Sequence, residues 1–142
     1  MVEKEVIVRR LTLLEEYCRD LHNARESMEF NDFKHDKVLR RYVERTLQLA
    51  IEACLDLANH IIAYEGYREP KDNKDIIAVL HEESLLNNEQ AVNLKKMAQF
   101  RNVLVHDYTK IEPEIVYSIL QKHLVDILDY AQIIKEQFYC DD

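Results

Sequence analysis

The chain has 142 residues, of which 47% are hydrophobic and 32% charged, with a formal net charge of −8. This length supports one well-buried domain over residues 1–142, and the negative charge argues against binding nucleic acid over the whole surface. Because glycine occurs once and proline twice, folds that need glycine-rich turns or phosphate loops (Rossmann, P-loop, sandwich and barrel) are excluded, and a mostly helical domain remains.

Apolar residues that recur three or four positions apart divide the chain into five helical segments. The first runs from about Val2 to Arg25. The second is long, from about Asp32 to Tyr64, and either Asn31 or Asp32 is its predicted N-cap. Gly66 and Pro70 follow it and predict its end, because glycine favours the left-handed C-cap and proline cannot continue a helix.

A short third helix is predicted from about Asn73 to Glu83. The fourth begins at Asn87 or Asn88 and runs to about Tyr108. Pro113 begins the fifth, because a missing N–H costs nothing in the first turn of a helix. Four long amphipathic helices and one short helix, joined by brief links, predict an all-α, antiparallel four-helix bundle with one additional short helix.

The sequence indicates a cytoplasmic protein that does not enter a membrane. Its first ten residues, MVEKEVIVRR, lack the apolar stretch of a signal peptide, and aliphatic runs such as 76–80 are far shorter than the ~20 residues of a membrane span. Cys18 and Cys54 fall at apolar positions of the helical pattern, which predicts reduced, packed thiols, and Cys140 is distant from both.

The charges are unevenly distributed along the chain. The segments 34–45 and 95–110 each have a local charge of +3, and the segment 112–142 has a local charge of −5. Mixed, solvated helix faces explain many such imbalances. The basic segment 95–110, however, coincides with the most informative motif of the sequence.

The fourth predicted helix ends in the sequence FRNVLVHDY. At about 100° per residue, Asn102 and His106 form an i,i+4 pair on the side roughly opposite the predicted core face, and Tyr108 returns to within about 20° of Arg101. Val103 also faces away from the core, so the pattern predicts polar residues flanked by exposed valines, a surface that meets another chain. Alternatively, these residues cap the helix and complement its dipole.

The motif R-N-x-x-x-H-D-Y at residues 101–108 resembles the R-x4-H-x-Y signature of the HepT family. HepT proteins are the toxins of MntA–HepT (type VII) toxin–antitoxin systems and belong to the HEPN superfamily of small helical ribonucleases. The segment IEACLDLANHII at residues 51–62 is similar to the second helix of that family. Helix order and length also fit, so the resemblance covers nearly the whole chain.

The resemblance implies metal-independent endonucleolytic cleavage of RNA in a homodimer whose two motifs face each other. It assigns catalysis to Arg101 and His106 and the positioning of phosphate or imidazole to Asn102, with neither metal nor cofactor. Histidine exchanges protons near neutral pH, and a guanidinium offers paired donors to the phosphate oxygens of the transition state. A twofold dimer supplies two histidines, which is enough for separate acid and base.

The resemblance also implies a partner and a modification. An MntA-like nucleotidyltransferase antitoxin would transfer AMP from ATP onto Tyr108, and the added phosphate and adenosine would obstruct the entry of RNA. A simpler role for Tyr108 is to cap the helix end.

Two further interpretations remain open at this point. Asp56 and His60 are an i,i+4 pair and could ligate a metal, form a buried hydrogen-bonded pair, or contact a dimer or antitoxin surface. The whole chain could also be a non-catalytic HEPN binding partner of a nucleotidyltransferase, or a structural adaptor. The presence of both Arg101 and His106 favours the enzyme.

Overall fold

The computed structural model describes residues 2–106 and 111–139, and all the regular structure in these two ranges is helical. The helices are α1 (Val2–Glu26), α2 (Phe30–His35), α3 (Lys37–Glu65), α4 (Asn73–Glu82), α5 (Asn88–His106) and α6 (Pro113–Tyr139). The prediction of an all-α bundle with four long helices and a short one is therefore confirmed. The six-residue helix α2 is an addition to it.

The helices α1, α3, α5 and α6 surround one apolar core, and α4 packs against α3 and α5. Fully burying a leucine-sized side chain stabilises a fold by roughly 1.5–3 kcal/mol. The buried apolar side chains of these helices therefore supply most of the driving force for folding. Tyr130 of α6 lies inside this core, and its hydroxyl donates to the Cys54 carbonyl of α3 over 3.0 Å. This hydrogen bond fixes the height of α6 relative to α3.

The second predicted helix is divided in two at Asp36. The backbone of Asp36 is extended (φ −103°, ψ 100°), and its carboxylate accepts from the backbone N–H of Leu39 over 3.0 Å, which caps a new helix. The predicted N-cap at Asn31 or Asp32 is wrong. Glu29 caps α2, and Asp32 completes a capping box by accepting from the backbone N–H of Glu29.

The end of α3 follows the prediction. Gly66 has φ +72°, in the left-handed region that favours glycine, and Tyr67 donates its backbone N–H to the Ile62 carbonyl over 3.0 Å. A capping box begins α5: the side chains of Asn87 and Gln90 each accept from the other residue's backbone N–H.

The two described cysteines are free and buried, as predicted. Burial raises the pKa of the Cys18 thiol to about 12 and also raises the pKa of Cys54. Neither is a nucleophile at neutral pH, since the thiolate is the reactive form. Cys140 lies outside the described residues. Among the residues that are described, no helix is long and apolar enough to cross a membrane.

A surface ion-pair cluster fixes the link between α3 and α4. The guanidinium of Arg68 donates to both carboxylate oxygens of Asp75 and to both of Glu82, over 2.8–2.9 Å. These hydrogen bonds hold the pKa of the Asp75 carboxyl well below its usual range and lower that of Glu82. Arg68 therefore ties the start and the end of α4 to the chain that leaves α3.

We expect Arg68→Met to lower the melting temperature by a few degrees at pH 7, and the difference from wild type to shrink as the pH falls below about 4. A carboxylate whose pKa is depressed in the folded state stabilises the fold above its unfolded pKa and loses that contribution on acidification. Thermal melts followed by circular dichroism at several pH values measure the difference. Arg9→Met, at an exposed position of α1, is the control; a pH-independent difference would contradict the ion-pair explanation.

Candidate active site

The site begins where α5 packs in the opposite direction along α3. One small core void is lined by residues of α3 (Ile51, Cys54 and Leu55) and of α5 (Leu94, Met97 and Ala98). One turn further along α5, the side chain of Arg101 reaches towards α3 at the level of Glu52. Arg101 therefore lies at the seam between the two helices.

An ion pair with Glu52 holds the guanidinium of Arg101 in place. Nε donates to Oε2 of Glu52 over 2.9 Å, Nη2 lies 2.8 Å from the same oxygen in an ion pair, and the Gln48 side-chain amide donates to that oxygen over 3.2 Å. The side chains of Arg101 and Glu52 are 27% and 33% exposed. The contact of two guanidinium nitrogens with one carboxylate oxygen orients the guanidinium plane, and the side chain stays exposed enough for an anion to approach it.

Asn102 and His106 are both exposed, on the side of α5 where the sequence pattern predicted them. The Oδ1 atom of Asn102 accepts from Nη1 of Arg101 at 3.4 Å, which connects the exposed surface to the seam. His106 is the last residue of α5 and is open to solvent. Tyr108, the predicted AMP acceptor, lies outside the described residues.

The structure corrects the prediction that exposed valines flank these polar residues, and it places Arg101 away from their surface. The buried arc of α5 is centred near Leu94, which is almost in line with Arg101 along the helix. Arg101 consequently points inwards, to α3, and Val103 and Val105 are half-buried. Within the motif, Arg101 therefore lies at the seam between α3 and α5, whereas Asn102 and His106 lie on the exposed side of α5.

Sequence reasoning missed Glu52 and Gln48. The signal was present: Gln48, Glu52, Asp56 and His60 stand four apart in the stretch 47–62, whose other residues are nearly all apolar, and such a polar line needs partners. What the sequence did not supply was the partner, because Arg101 is 49 positions away.

Asp56 is also at the surface of α3. Its carboxylate contacts Nε of Arg10 on α1 at 3.2 Å and Nε2 of His60 at 3.7 Å, and the three side chains are 28–48% exposed. Of the alternatives for Asp56 and His60, the buried pair is wrong. No group of metal-ligating side chains of the size needed for a metal site occurs within the described ranges.

Comparison with known proteins identifies the family. The family described as "Ribonuclease HepT-like" matches residues 14–134. The chain belongs to the HepT-like ribonuclease family. The prediction of a HepT family member and RNA nuclease is confirmed at that level.

Two relatives of this HepT-like ribonuclease have named RNA substrates. This chain is 36% identical to the mRNA nuclease HepT of Shewanella oneidensis over 107 residues. The matched stretch covers 75% of this chain and 80% of the relative. It is 28% identical to the tRNA nuclease HepT of Aphanizomenon flos-aquae over 119 residues. That stretch covers 84% of this chain and 80% of the relative.

Two solved structures share the fold over nearly their whole length. One is a toxin–antitoxin complex with AMP-PNP, with a TM-score of 0.85 and 29% identity over 93% of this chain and 98% of the other. The second is a tri-AMPylated HEPN toxin of Shewanella oneidensis in complex with the MNT antitoxin. It has a TM-score of 0.84 and 30% identity over 92% and 97% of the two chains.

We expect Glu52→Gln to separate binding from catalysis. Loss of the carboxylate charge leaves the Arg101 guanidinium more attractive to phosphate, but the guanidinium is held less firmly. RNA should therefore bind more tightly, with KM lowered about three- to tenfold, while kcat falls by about tenfold. Steady-state cleavage of a fluorogenic RNA measures both constants.

Glu44→Gln makes the same charge change two turns earlier on α3, next to Arg40 and Arg41, and serves as the control. Equal effects of the two substitutions would mean that only the net charge matters. An unchanged kcat in Glu52→Gln would show that the ion pair does not position Arg101.

Proposed function

We propose that this HepT-like ribonuclease is an endonuclease toxin that cleaves RNA without a metal, at a site composed of Arg101 and His106 from two copies of the chain. The observation that carries the proposal is the partly exposed Arg101 guanidinium, held at the α3–α5 seam by Glu52 and contacting Asn102 through Nη1. Asn102 and His106 lie exposed beside it on the last turns of α5.

The chemistry follows from the two residue types. Attack of the ribose 2′-oxygen on the adjacent phosphorus needs removal of the 2′-hydroxyl proton, and breaking the bond to the 5′-oxygen needs a proton delivered to that leaving oxygen. Imidazole performs either transfer near neutral pH. A guanidinium at Arg101 stabilises the negative charge that accumulates on the non-bridging oxygens, and Asn102 adds an amide dipole at the same place.

A dimer completes this set of groups. One chain presents one His106, and a single imidazole cannot take up one proton and deliver another at the same moment. The exposure of His106 and Asn102 at the end of a helix allows a second copy to approach them, which is the surface that the sequence predicted to be buried in a homodimer. Two copies provide one base, one acid and two guanidinium groups.

The proposal extends to control by a nucleotidyltransferase antitoxin of the MntA type. The second solved structure described above is a tri-AMPylated HEPN toxin of Shewanella oneidensis in complex with the MNT antitoxin. In this chain the proposed acceptor is Tyr108, two residues after His106. AMP units there add negative charge and bulk next to the residues that receive the scissile phosphate. A toxin that acts on cellular RNA and keeps free cysteines is expected in the cytoplasm.

Arg101→Ala and His106→Ala are each expected to lower the RNA cleavage rate by at least about a hundredfold, because each removes a transition-state group. Cleavage by the wild type should continue in excess EDTA. Purified variants are compared on a labelled RNA, and circular dichroism establishes that they fold. The controls are Arg19→Ala and His22→Ala, which change the same residue types at exposed positions of α1. Activity that stops on chelation and returns with a divalent cation would require a metal mechanism instead.

Tyr108→Phe is expected to cleave RNA at the wild-type rate and to resist silencing by the antitoxin. The substitution removes the phenolic oxygen that accepts AMP and keeps the ring. Intact-mass spectrometry after incubation with a nucleotidyltransferase partner, ATP and Mg²⁺ should show added AMP on wild type and none on the variant. Tyr42→Phe, at an exposed tyrosine of α3, is the control. Equal AMP addition to wild type and Tyr108→Phe would place the modification elsewhere.

A further inference from the structure

A second group of polar side chains lies where α5 packs against α6. Asn93 of α5 donates its side-chain amide to Oδ1 of Asp126 on α6 over 3.2 Å. Nδ1 of His123 lies 2.9 Å from Oδ2 of the same carboxylate, and the side chains of His123 and Asp126 are 41% and 14% exposed. A largely buried carboxylate therefore has a partner on each oxygen and supports an imidazole that is open to solvent.

Joining α5 to α6 does not require His123. The hydrogen bond between Asn93 and Asp126 crosses from one helix to the other, whereas His123 is three residues before Asp126 on the same helix. The carboxylate accepts the Nδ1 proton, which orients the ring and leaves Nε2 as the nitrogen that a ligand can reach. Nε2 has no hydrogen bond or ion pair with residues 2–106 and 111–139.

Two exposed lysines flank this imidazole. Asn93 is thirteen residues before the end of α5, and Asp126 is thirteen residues after the start of α6, so the two helices run antiparallel at matched heights. One turn from this contact, towards the end of α5, Lys96 is therefore level with His123, and Lys122 is next to it on α6. Within the described part of the chain, neither lysine has an ion pair or a hydrogen bond from its side chain.

An exposed line on α5 connects these groups to the candidate active site. Lys96, Gln99, Val103 and His106 follow one another at spacings of three, four and three residues, which places them on one side of the helix. Gln99 is exposed and Val103 is half-buried. At 1.5 Å per residue, Lys96 is about 15 Å from His106 along the helix axis. A strand that passes His106 can therefore continue along α5 to Lys96.

We propose that Lys96, Lys122 and His123 form a remote subsite of this ribonuclease, which binds backbone phosphate groups of the RNA about 15 Å from His106. Each ammonium group is a point charge for a phosphate, and a protonated imidazole donates from Nε2 to a phosphate oxygen. The inference deepens the proposed function. It depends on that function only for the position of the scissile bond at His106.

The arrangement of charges favours RNA as the occupant. The exposed acids of the two helices in this region, Glu89 and Asp129, lie on the other side of the contact between Asn93 and Asp126. The positive groups are therefore on the side that faces the active site. RNA has a phosphate at every nucleotide, so a strand held at His106 presents further phosphates along α5. An acidic segment of a partner protein is the alternative that the experiment must separate.

A contact this far from the reacting atoms is the same in the ground state and in the transition state. Its loss should therefore raise KM and leave kcat nearly unchanged. It should also matter only for an RNA that is long enough to reach it. These two properties distinguish the remote subsite from a group that acts in catalysis and from a purely structural contact.

The test variant is Lys96→Gln with Lys122→Gln and His123→Asn, assayed by steady-state cleavage of a long and a short RNA. With an RNA of about 20 nucleotides, KM should rise about tenfold while kcat stays within about twofold of wild type. With an RNA of about three nucleotides, both constants should match wild type. A rise in KM that is equal for the two substrates would overturn the remote subsite.

The salt dependence of binding tests the phosphate contacts directly. The dissociation constant of a long 2′-O-methyl RNA, which lacks the attacking hydroxyl, is measured by fluorescence anisotropy at several salt concentrations. The slope of log K against log salt should become shallower by roughly 0.7 for each phosphate contact that is lost. Because this RNA is not cleaved, binding is measured independently of catalysis. Lost affinity in the variant, with a wild type that does not cleave, would support the remote subsite and count against the proposed catalysis alone.

The control is Lys71→Gln with Lys74→Gln, which removes the same two lysine charges at exposed positions in and just before the first turn of α4. It should leave KM and the salt slope as in wild type. Equal salt slopes in the test variant and this control would overturn the proposal. So would RNA affinity that is unchanged while binding to a nucleotidyltransferase partner weakens, because the surface would then belong to a protein.

Circular dichroism establishes that the variants fold. If the triple variant is unfolded, Lys96→Gln with Lys122→Gln carries the test, since it leaves the hydrogen bond from His123 to Asp126 in place. This pair should show a smaller rise in KM for the long RNA and a shallower salt slope. Wild-type values of both in the folded pair would overturn the remote subsite.

Discussion

The candidate active site of this molecule depends on one ion pair, between Arg101 on α5 and Glu52 on α3. Two exposed charges would gain little from pairing, and two fully buried charges would lose more solvation than their attraction returns. At 27% and 33% exposure, the pair lies between these limits. The guanidinium is oriented by the protein and still accessible to a phosphate. The pair also links α5, which carries the R-x4-H motif, to α3.

The rest of the fold serves to hold those two helices at the correct height. The core between α3 and α5 consists of aliphatic side chains directly before the ion pair, and the hydrogen bond from Tyr130 to the Cys54 carbonyl joins α6 to the middle of α3. Apolar packing of this kind does not depend on the protonation of any group. The ionisable groups of the site are consequently free to change partners or protonation while the backbone beneath them stays in place.

An acidic protein that acts on RNA needs positive charge close to the site that binds the phosphate. In this chain, positive and negative charges are concentrated in different segments. The segments 46–94 and 112–142 carry local charges of −6 and −5, whereas the segments 34–45 and 95–110, the second of which contains Arg101, each carry +3. Charges further apart than about 8–10 Å are largely screened at physiological ionic strength. A phosphate at the seam therefore responds to the nearby Arg101 guanidinium far more than to the net charge of −8.

The sequence by itself determined the helical class, the stripes that form the core and the family, because apolar periodicity and the R-x4-H-x-Y pattern are properties of neighbouring residues. It also located the C-terminal end of α3, since Gly66 is the one residue suited to the left-handed cap. It did not locate the break at Asp36, where aspartate competes as a cap within an otherwise helical pattern. Only the tertiary structure decided that Arg101 faces Glu52 rather than solvent. A helical wheel gives the angle of a side chain but not the neighbour at that angle, and the partner is 49 residues away. The pairing of distant charges depends on how whole helices pack, and it is this packing that turns a short motif into an oriented site.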